Sequence, residues 1–293
     1  MKTPTSKSKF FFILSAICVV LSIVLLFVNG LNYGIDFTGG TTLQFDMGKK
    51  IDNIEDIEKE VTQIIKTHVK TKDVTVQQSG DDEISIRTVE LSNKQGDKII
   101  EDIKAKYNLE QKNLLVNEKV SGSVSGRLIV DSLKAVALAI ILMLIYITFR
   151  FDFQSGTSAV LALAHDVIIM LGFYALFQFT VSTSFIAAIL TIVGYSINAT
   201  IIVFDRVREN ARTMKQATPN KIADEAITSS YFRAINSSIT TLLTIGVLYV
   251  MGVDSIKEFA LPIIVGIVAG TYSSLFIAGP FWAWWKGGDK KAR

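Results

Sequence analysis

The chain has 293 residues, 49% hydrophobic and only 19% charged, with a formal net charge of +3. So apolar a chain, mean hydropathy +0.40, excludes both intrinsic disorder and an ordinary water-soluble globule. The single cysteine, Cys18, excludes a disulfide framework and a thiolate zinc site; two histidines argue against a metal centre, and so weak a charge gives no reason to expect nucleic acid.

A hydrocarbon core about 30 Å thick needs roughly 20 apolar helical residues. Residues 1–9, with Lys2, Lys7 and Lys9, read as a cytoplasmic N-terminus, and 10–30 as a first membrane helix whose uncharged run is 10–28. The run is too long for a signal-peptide core and no A-x-A site follows, so a retained anchor is expected.

Residues 31–126 are polar and read as an extracytoplasmic domain. Thr41, Leu43 and Phe45 alternate as in a strand, and Ile51, Ile54, Ile57, Val61, Ile64 and Ile65 recur at helical spacing. Short β-rich runs at 74–77 and 84–89 flank a hairpin turn at Gly80-Asp81-Asp82. Ile99, Ile100, Ile103 and Tyr107 mark a second helix capped by Ser92 or Asn93, and 114–120 a last strand. The βαββαβ order predicts an α+β, ferredoxin-like domain between helices 1 and 2. With no nucleophile beside a base, it reads as a binding or lever domain. His68 reads as a surface residue.

Residues 127–285 hold five more spans: 128–149, 153–181, 182–204, 234–253 and 259–285. The fold class is therefore a membrane α-helical bundle of six transmembrane helices carrying one α+β domain. Arg206, Arg208, Arg212, Lys215, Lys221 and Arg233 mark about 205–236 as a cytoplasmic helix-loop. Lys286, Lys290, Lys291 and Arg293 mark 286–293 as a cytoplasmic tail. Both termini then lie inside.

Several residues stand out against this background. Gly34-Ile35-Asp36-Phe37-Thr38-Gly39-Gly40 follows the first helix. Its glycines imply positive φ or close backbone approach, and Asp36 either caps local amides or serves a site. No Walker-type phosphate loop occurs. His165 and Asp166 fall near mid-membrane, where an ionisable group is costly: Asp166 either carries a proton or binds a cation, or is a structural acid bonded to neighbouring hydroxyls. Ser196, Asn198 and Thr200 near Gly194 read as interhelical hydrogen-bonding groups. Asp205, Arg206, Arg208 and Glu209 read as a solvated helix end. Gly194, Gly266 and Gly270, the last with Ser273 and Ser274 beyond it, mark close helix packing, and Pro262 fits a first helical turn. Trp282, Trp284 and Trp285 before Lys286 form an interface anchor. No cofactor and no catalytic residue is expected. Six spans, an intramembrane acid and no nucleotide site together suggest a gradient-driven transport or translocation component.

Four motifs carry a resemblance: Gly34–Gly40 as just quoted, Ala164-His165-Asp166-Val167-Ile168, Val193 to Asn198 continuing through Phe204 to Asn210, and Phe259-Ala260-Leu261-Pro262 through Gly270 to Ser274. In these the chain resembles the SecF members of the SecD/SecF family, within the resistance-nodulation-division superfamily, over nearly its whole length. The resemblance implies a non-enzymatic subunit of a SecD–SecF complex in the bacterial cytoplasmic membrane. Its implied partners are a SecD-like subunit, the SecYEG channel, SecA indirectly, and the unfolded polypeptide in transit. The ion-motive force would help pull or release that polypeptide on the outer side. Many family members carry an aspartate implicated in proton passage where this chain has Ala199. That departure implies an acid supplied by the partner, or Asp166 in its place, or sodium coupling through Asn198, Ser196 and Thr200. Arg233 matches a family arginine and either pairs with an intramembrane acid or anchors its helix. Two alternatives compete: an exporter subunit of the same superfamily for small molecules or lipids, and a structural translocon accessory without ion coupling. The scarcity of aromatics in the soluble segment argues against the exporter.

Overall fold

The computed structural model describes residue 5 and residues 8–51, 53–71, 73–79 and 82–288. The basic residues at 2, 7, 290, 291 and 293 lie outside these, as do two residues of the expected hairpin turn, 80 and 81. The chain divides into two compact units, Met1–Asn32 with Ser132–Arg293, and Tyr33–Asp131.

In chain order the elements are α1 (Ser8–Val28), β1 (Gly40–Asp46), α2 (Ile54–His68), β2 (Val74–Ser79), β3 (Glu83–Thr88), α3 (Asn93–Tyr107), β4 (Leu114–Val120), α4 (Gly122–Arg150), α5 (Phe153–Phe177), α6 (Thr183–Thr213), α7 (Pro219–Met251) and α8 (Asp254–Ser273). A π-helical turn (Ser274–Ala278) joins α8 to α9 (Gly279–Trp285). Among the described residues, six helical stretches are long and apolar enough to cross a membrane.

The sheet-bearing unit is built on a four-stranded antiparallel sheet in the order β2-β3-β1-β4. The period-two pattern read in β1 does the work: Leu43 pairs with Ile86 and Phe45 with Ile84, and these four side chains are fully buried. Val61 and Ile65 of α2, with Ile99 and Ile103 of α3, complete that core. Each such side chain taken from water contributes about 1.5–3 kcal/mol. The helix ends are capped as short polar side chains dictate. Asn53 accepts from the Glu55 amide at α2, and Ser92, not Asn93, forms a capping box with Gln95 at α3. Tyr107 donates to Glu60 at 2.8 Å, tying α3 to α2. Burial, then the Glu60 carboxylate, push the Tyr107 phenol well above its ordinary value, and the same bond with nearby Lys106 holds Glu60 below its own. His68 is not a bare surface residue: it is partly covered and pairs with Asp102 at 2.6 Å.

In the membrane unit, α6 and α7 run to 31 and 33 residues. At 1.5 Å per residue such helices exceed a 30 Å core by roughly 15 Å or more. The polar stretch expected over 205–236 is therefore helical apart from 214–218, because hydropathy marks where a helix leaves hydrocarbon and not where it stops. Pro262 sits inside α8, in its third turn, not its first as expected. Having no N–H, it gives up one donor of the helical ladder.

One end of this unit gathers the basic residues. Lys286 pairs with Asp152 at 2.7 Å, Arg150 reaches Asp205 at 3.3 Å, and Thr5 bonds Asp224 beside the start of α7. Asp152 also caps α5 by accepting from the Ser155 amide at 2.9 Å. Burial raises its pKa, but the Lys286 and Ser155 bonds outweigh burial and hold the carboxyl below its ordinary value.

Candidate functional site

The site is built where α5, α6 and α8 meet. Small residues at four-residue spacing bring α6 and α8 together. Gly266 lies against Ile192 and Gly270 against Ser196, so closely that a Cβ at either position would stand 2.5 or 3.0 Å from that neighbour. One turn further on, Ser274 meets Thr200, Oγ to Oγ1, at 2.8 Å.

Asp166 of α5 projects into this seam and is fully buried. Its Oδ2 accepts from Ser196 Oγ at 2.6 Å and Ser273 Oγ at 2.9 Å, and its Oδ1 lies 3.1 Å from His165 Nδ1. The Ser273 hydroxyl has a second acceptor in reach, the Gly270 carbonyl at 3.2 Å. Ser274 also lies 3.4 Å from the Ser196 carbonyl, so Asp166, Ser196, Ser274 and Thr200 form one buried polar chain. His165 stacks on Tyr272 with centroids 6.1 Å apart, and the Tyr272 hydroxyl bonds Ser15 and the Phe11 carbonyl of α1. Because the carboxylate's oxygens hold hydroxyls from two other helices, its charge bears directly on how α5, α6 and α8 are joined.

Of the residues singled out in the sequence, His165, Asp166, Ser196 and Thr200 come together. Asn198 does not join them. Two residues on from Ser196, it is rotated by about 200° on the helix. It is exposed and lines a separate cavity of about 730 Å³ together with Arg233. Ala199 is buried, 6% exposed. Among the described residues no cluster of three His, Cys, Asp or Glu side chains stands ready for a metal. Gly194, expected to pack a neighbour, has nothing within 4 Å of the place a Cβ would take. Arg206 pairs with Glu209 at 2.5 Å, and Asp205 lies 3.9 Å from Arg208, so that helix end is charge-paired.

The motif after α1 lies in the sheet-bearing unit. Gly34 has an ordinary φ of −72°, and Ile35–Thr38 is a helical turn with Asp36 in its first turn. Gly40 is the demanding position, with φ of 128° and the Thr88 carbonyl oxygen 2.3 Å from where a Cβ would stand. Sequence reasoning missed Tyr272, Ser15 and the Ser238–Thr271 contact at 2.6 Å. The available signal was the run of consecutive hydroxyl residues Thr271, Tyr272, Ser273 and Ser274.

Residues 99–288 match the family described as protein export membrane protein SecD/SecF, C-terminal, and residues 24–50 match the SecD/SecF GG motif. The chain belongs to the SecD/SecF family of protein-translocation subunits. It is 39% identical to the protein translocase subunit SecF of Sebaldella termitidis, across 92% of this chain and 87% of that one. To the SecF of Petrotoga mobilis it is 36% identical, across 94% and 92%. A crystal structure of SecDF from Thermus, a translocon-associated membrane protein, matches with a TM-score of 0.88 at 32% identity. That match takes in 96% of this chain and 38% of the Thermus one. SecDF in a super-membrane-facing form matches with a TM-score of 0.68 at 31% identity. This chain is accordingly a multi-pass member of a family of export proteins.

Proposed function

We propose that this chain is the SecF-type, non-enzymatic subunit of a SecD–SecF complex in the bacterial cytoplasmic membrane, and that Asp166 makes it responsive to the ion-motive force. The observation that carries this reading is a fully buried carboxylate held by hydroxyls of two other helices. A charged acceptor binds such hydroxyls about twice as strongly as a neutral one. Proton or cation arrival at Asp166 weakens its hold on Ser196 and Ser273, and Ser273 has the Gly270 carbonyl as an alternative. The packing of α5 against α6 and α8 then follows ion occupancy. Of the three readings of Ala199, this favours Asp166, whose polar chain reaches Thr200 beside the missing acid. A partner-borne acid facing Arg233 is the competing reading.

The basic end of the membrane unit supports cytoplasmic termini and an extracytoplasmic soluble unit. That unit's βαββαβ order and strand sequence β2-β3-β1-β4 support a ferredoxin-like domain. With SecYEG as the channel, SecA as the motor and an unfolded polypeptide as cargo, the complex would assist export on the outer side.

The test is Asp166→Asn, which keeps the shape and removes the ionisable proton site. Inner-membrane vesicles carrying the variant should lose the gradient-stimulated part of preprotein export, with the subunit present at native abundance by immunoblot. Gradient stimulation equal to that of the native chain would leave Asp166 a structural acid and refute the coupling.

A further inference from the structure

The cavity beside Asn198 takes no part in the Asp166 site and has a distinct chemistry. It lies between the C-terminal end of α4, the C-terminal half of α6 and residues 229–233 of α7, and its volume, about 730 Å³, suits a small ligand. Five arginines line it, Arg150, Arg206, Arg208, Arg212 and Arg233, against two carboxylates, Asp205 and Glu209, so three positive charges stay uncompensated. Arg150 reaches Asp205 at 3.3 Å, and the Arg206–Glu209 pair spends the second carboxylate. Arg150 and Arg208 are further fixed over the Phe151 ring, 5.2 and 5.6 Å from its centroid. Arg212 and Arg233 are exposed and make no ion pair among the described residues. Ile201 and Ile202 add an apolar patch beside Asn198, Ser229 and Ser230. The cavity thus sits at the membrane boundary, where the apolar run of α4 gives way to Arg150.

We infer that this cavity is a binding site for a phosphate-bearing anion, the headgroup of an anionic phospholipid. Planar guanidinium forks match phosphate oxygens two at a time, which lysines at a surface do not. Basic pockets between membrane helices on the side of the anionic leaflet hold such headgroups. A cavity at the membrane boundary fits a lipid, whose glycerol and acyl chains continue into hydrocarbon, better than a free ion.

The test uses the full chain, purified with its co-expressed membrane partner in a neutral detergent. It is titrated calorimetrically with short-chain phosphatidylglycerol, short-chain phosphatidylcholine and inorganic phosphate. Phosphatidylglycerol should bind and phosphatidylcholine should not. At roughly fivefold per arginine, the double variant R212Q/R233Q should weaken phosphatidylglycerol about 30-fold. Ser229→Trp, which fills the cavity from an exposed lining position and keeps every charge, should also weaken it. Inorganic phosphate binding as tightly as the lipid, and lost in R212Q/R233Q, would keep the anion site and make free phosphate its ligand. Equal phosphatidylglycerol affinity in the native protein and both variants, each eluting and melting like the native protein, would overturn the inference. Phosphatidylcholine binding as tight as phosphatidylglycerol would overturn it too.

Discussion

At Gly40 two demands coincide, a backbone at φ 128° and a carbonyl oxygen 2.3 Å from any Cβ. Gly48 carries only the first, with φ of 64° and open space around it. Gly48→Ala should therefore cost about 1–2 kcal/mol, the left-handed penalty alone. Gly40→Ala should cost more than that, because β1 must also move from Thr88. Thermal unfolding of the full chain followed by circular dichroism separates the two, and equal losses would remove the steric argument. Gly194 is the opposite case, an unhindered helical glycine. Gly194→Ala should leave the isolated chain unchanged or stabilise it by up to about 1 kcal/mol. A drop in partner co-purification without loss of stability would assign Gly194 to an intersubunit contact. The glycine motif was visible in the sequence, but not which glycine is strained, since the Thr88 carbonyl arrives from a strand more than forty residues away. Asn198 was grouped with Ser196 and Thr200 by proximity along the chain, and helix rotation separates them.

Helix ends were the best-read elements where the cap is local. Ser92 and Gln95 satisfy each other across one turn, so sequence alone located α3 closely. Ser92→Ala should cost about 1 kcal/mol, read as a lowered melting temperature. Asp152 gives a pH-dependent counterpart. Its folded pKa lies below its unfolded value, so its contribution is full above the ordinary carboxylate range and is lost as pH falls through the lower folded value. Asp152→Asn keeps a capping side chain and removes the charge. Stability in this variant should fall less steeply than in the native chain as pH drops below about 4. Identical acid profiles would mean the Lys286 pair contributes nothing. The continuation of α6 and α7 into polar sequence was not legible, because a hydropathy window reads the solvent around a helix and not its hydrogen bonds. Pro262 was misread for a related reason: charged residues at 254, 257 and 258 concealed two turns of helix before it.

The membrane helices differ sharply in how far the chain covers them. Half of the apolar window of α6 is buried, against none of that of α4 and 11% of that of α7. Apolar faces as bare as these meet lipid or another subunit. Gentle extraction and capture of the chain should recover a SecD-like protein in near-stoichiometric amount, quantified by mass spectrometry. Recovery of the chain alone would count against the complex and leave those faces to lipid. The six-span plan was legible because apolar runs of about 20 residues match the hydrocarbon thickness, and the sheet-bearing insert because of periodicity, 3.6 for helices and 2 for strands. The Asp166 network was only half legible, since its acid lies in one segment and its hydroxyls in two others far along the chain.

The π turn at Ser274–Ala278 sets the phase of everything after it. An ordinary helix advances about 100° per residue, and the wide turn carries one residue more than its α-helical equivalent. Deleting a single residue from this turn would restore regular winding and leave Gly279–Trp285 close to its present angle, whereas winding all five residues as α-helix would rotate that block by about 100°. The wide turn therefore holds Trp282, 5% exposed, against the interior and Trp284, 69% exposed, away from it. One surplus residue is absorbed locally, so that the short helix after it keeps its footing.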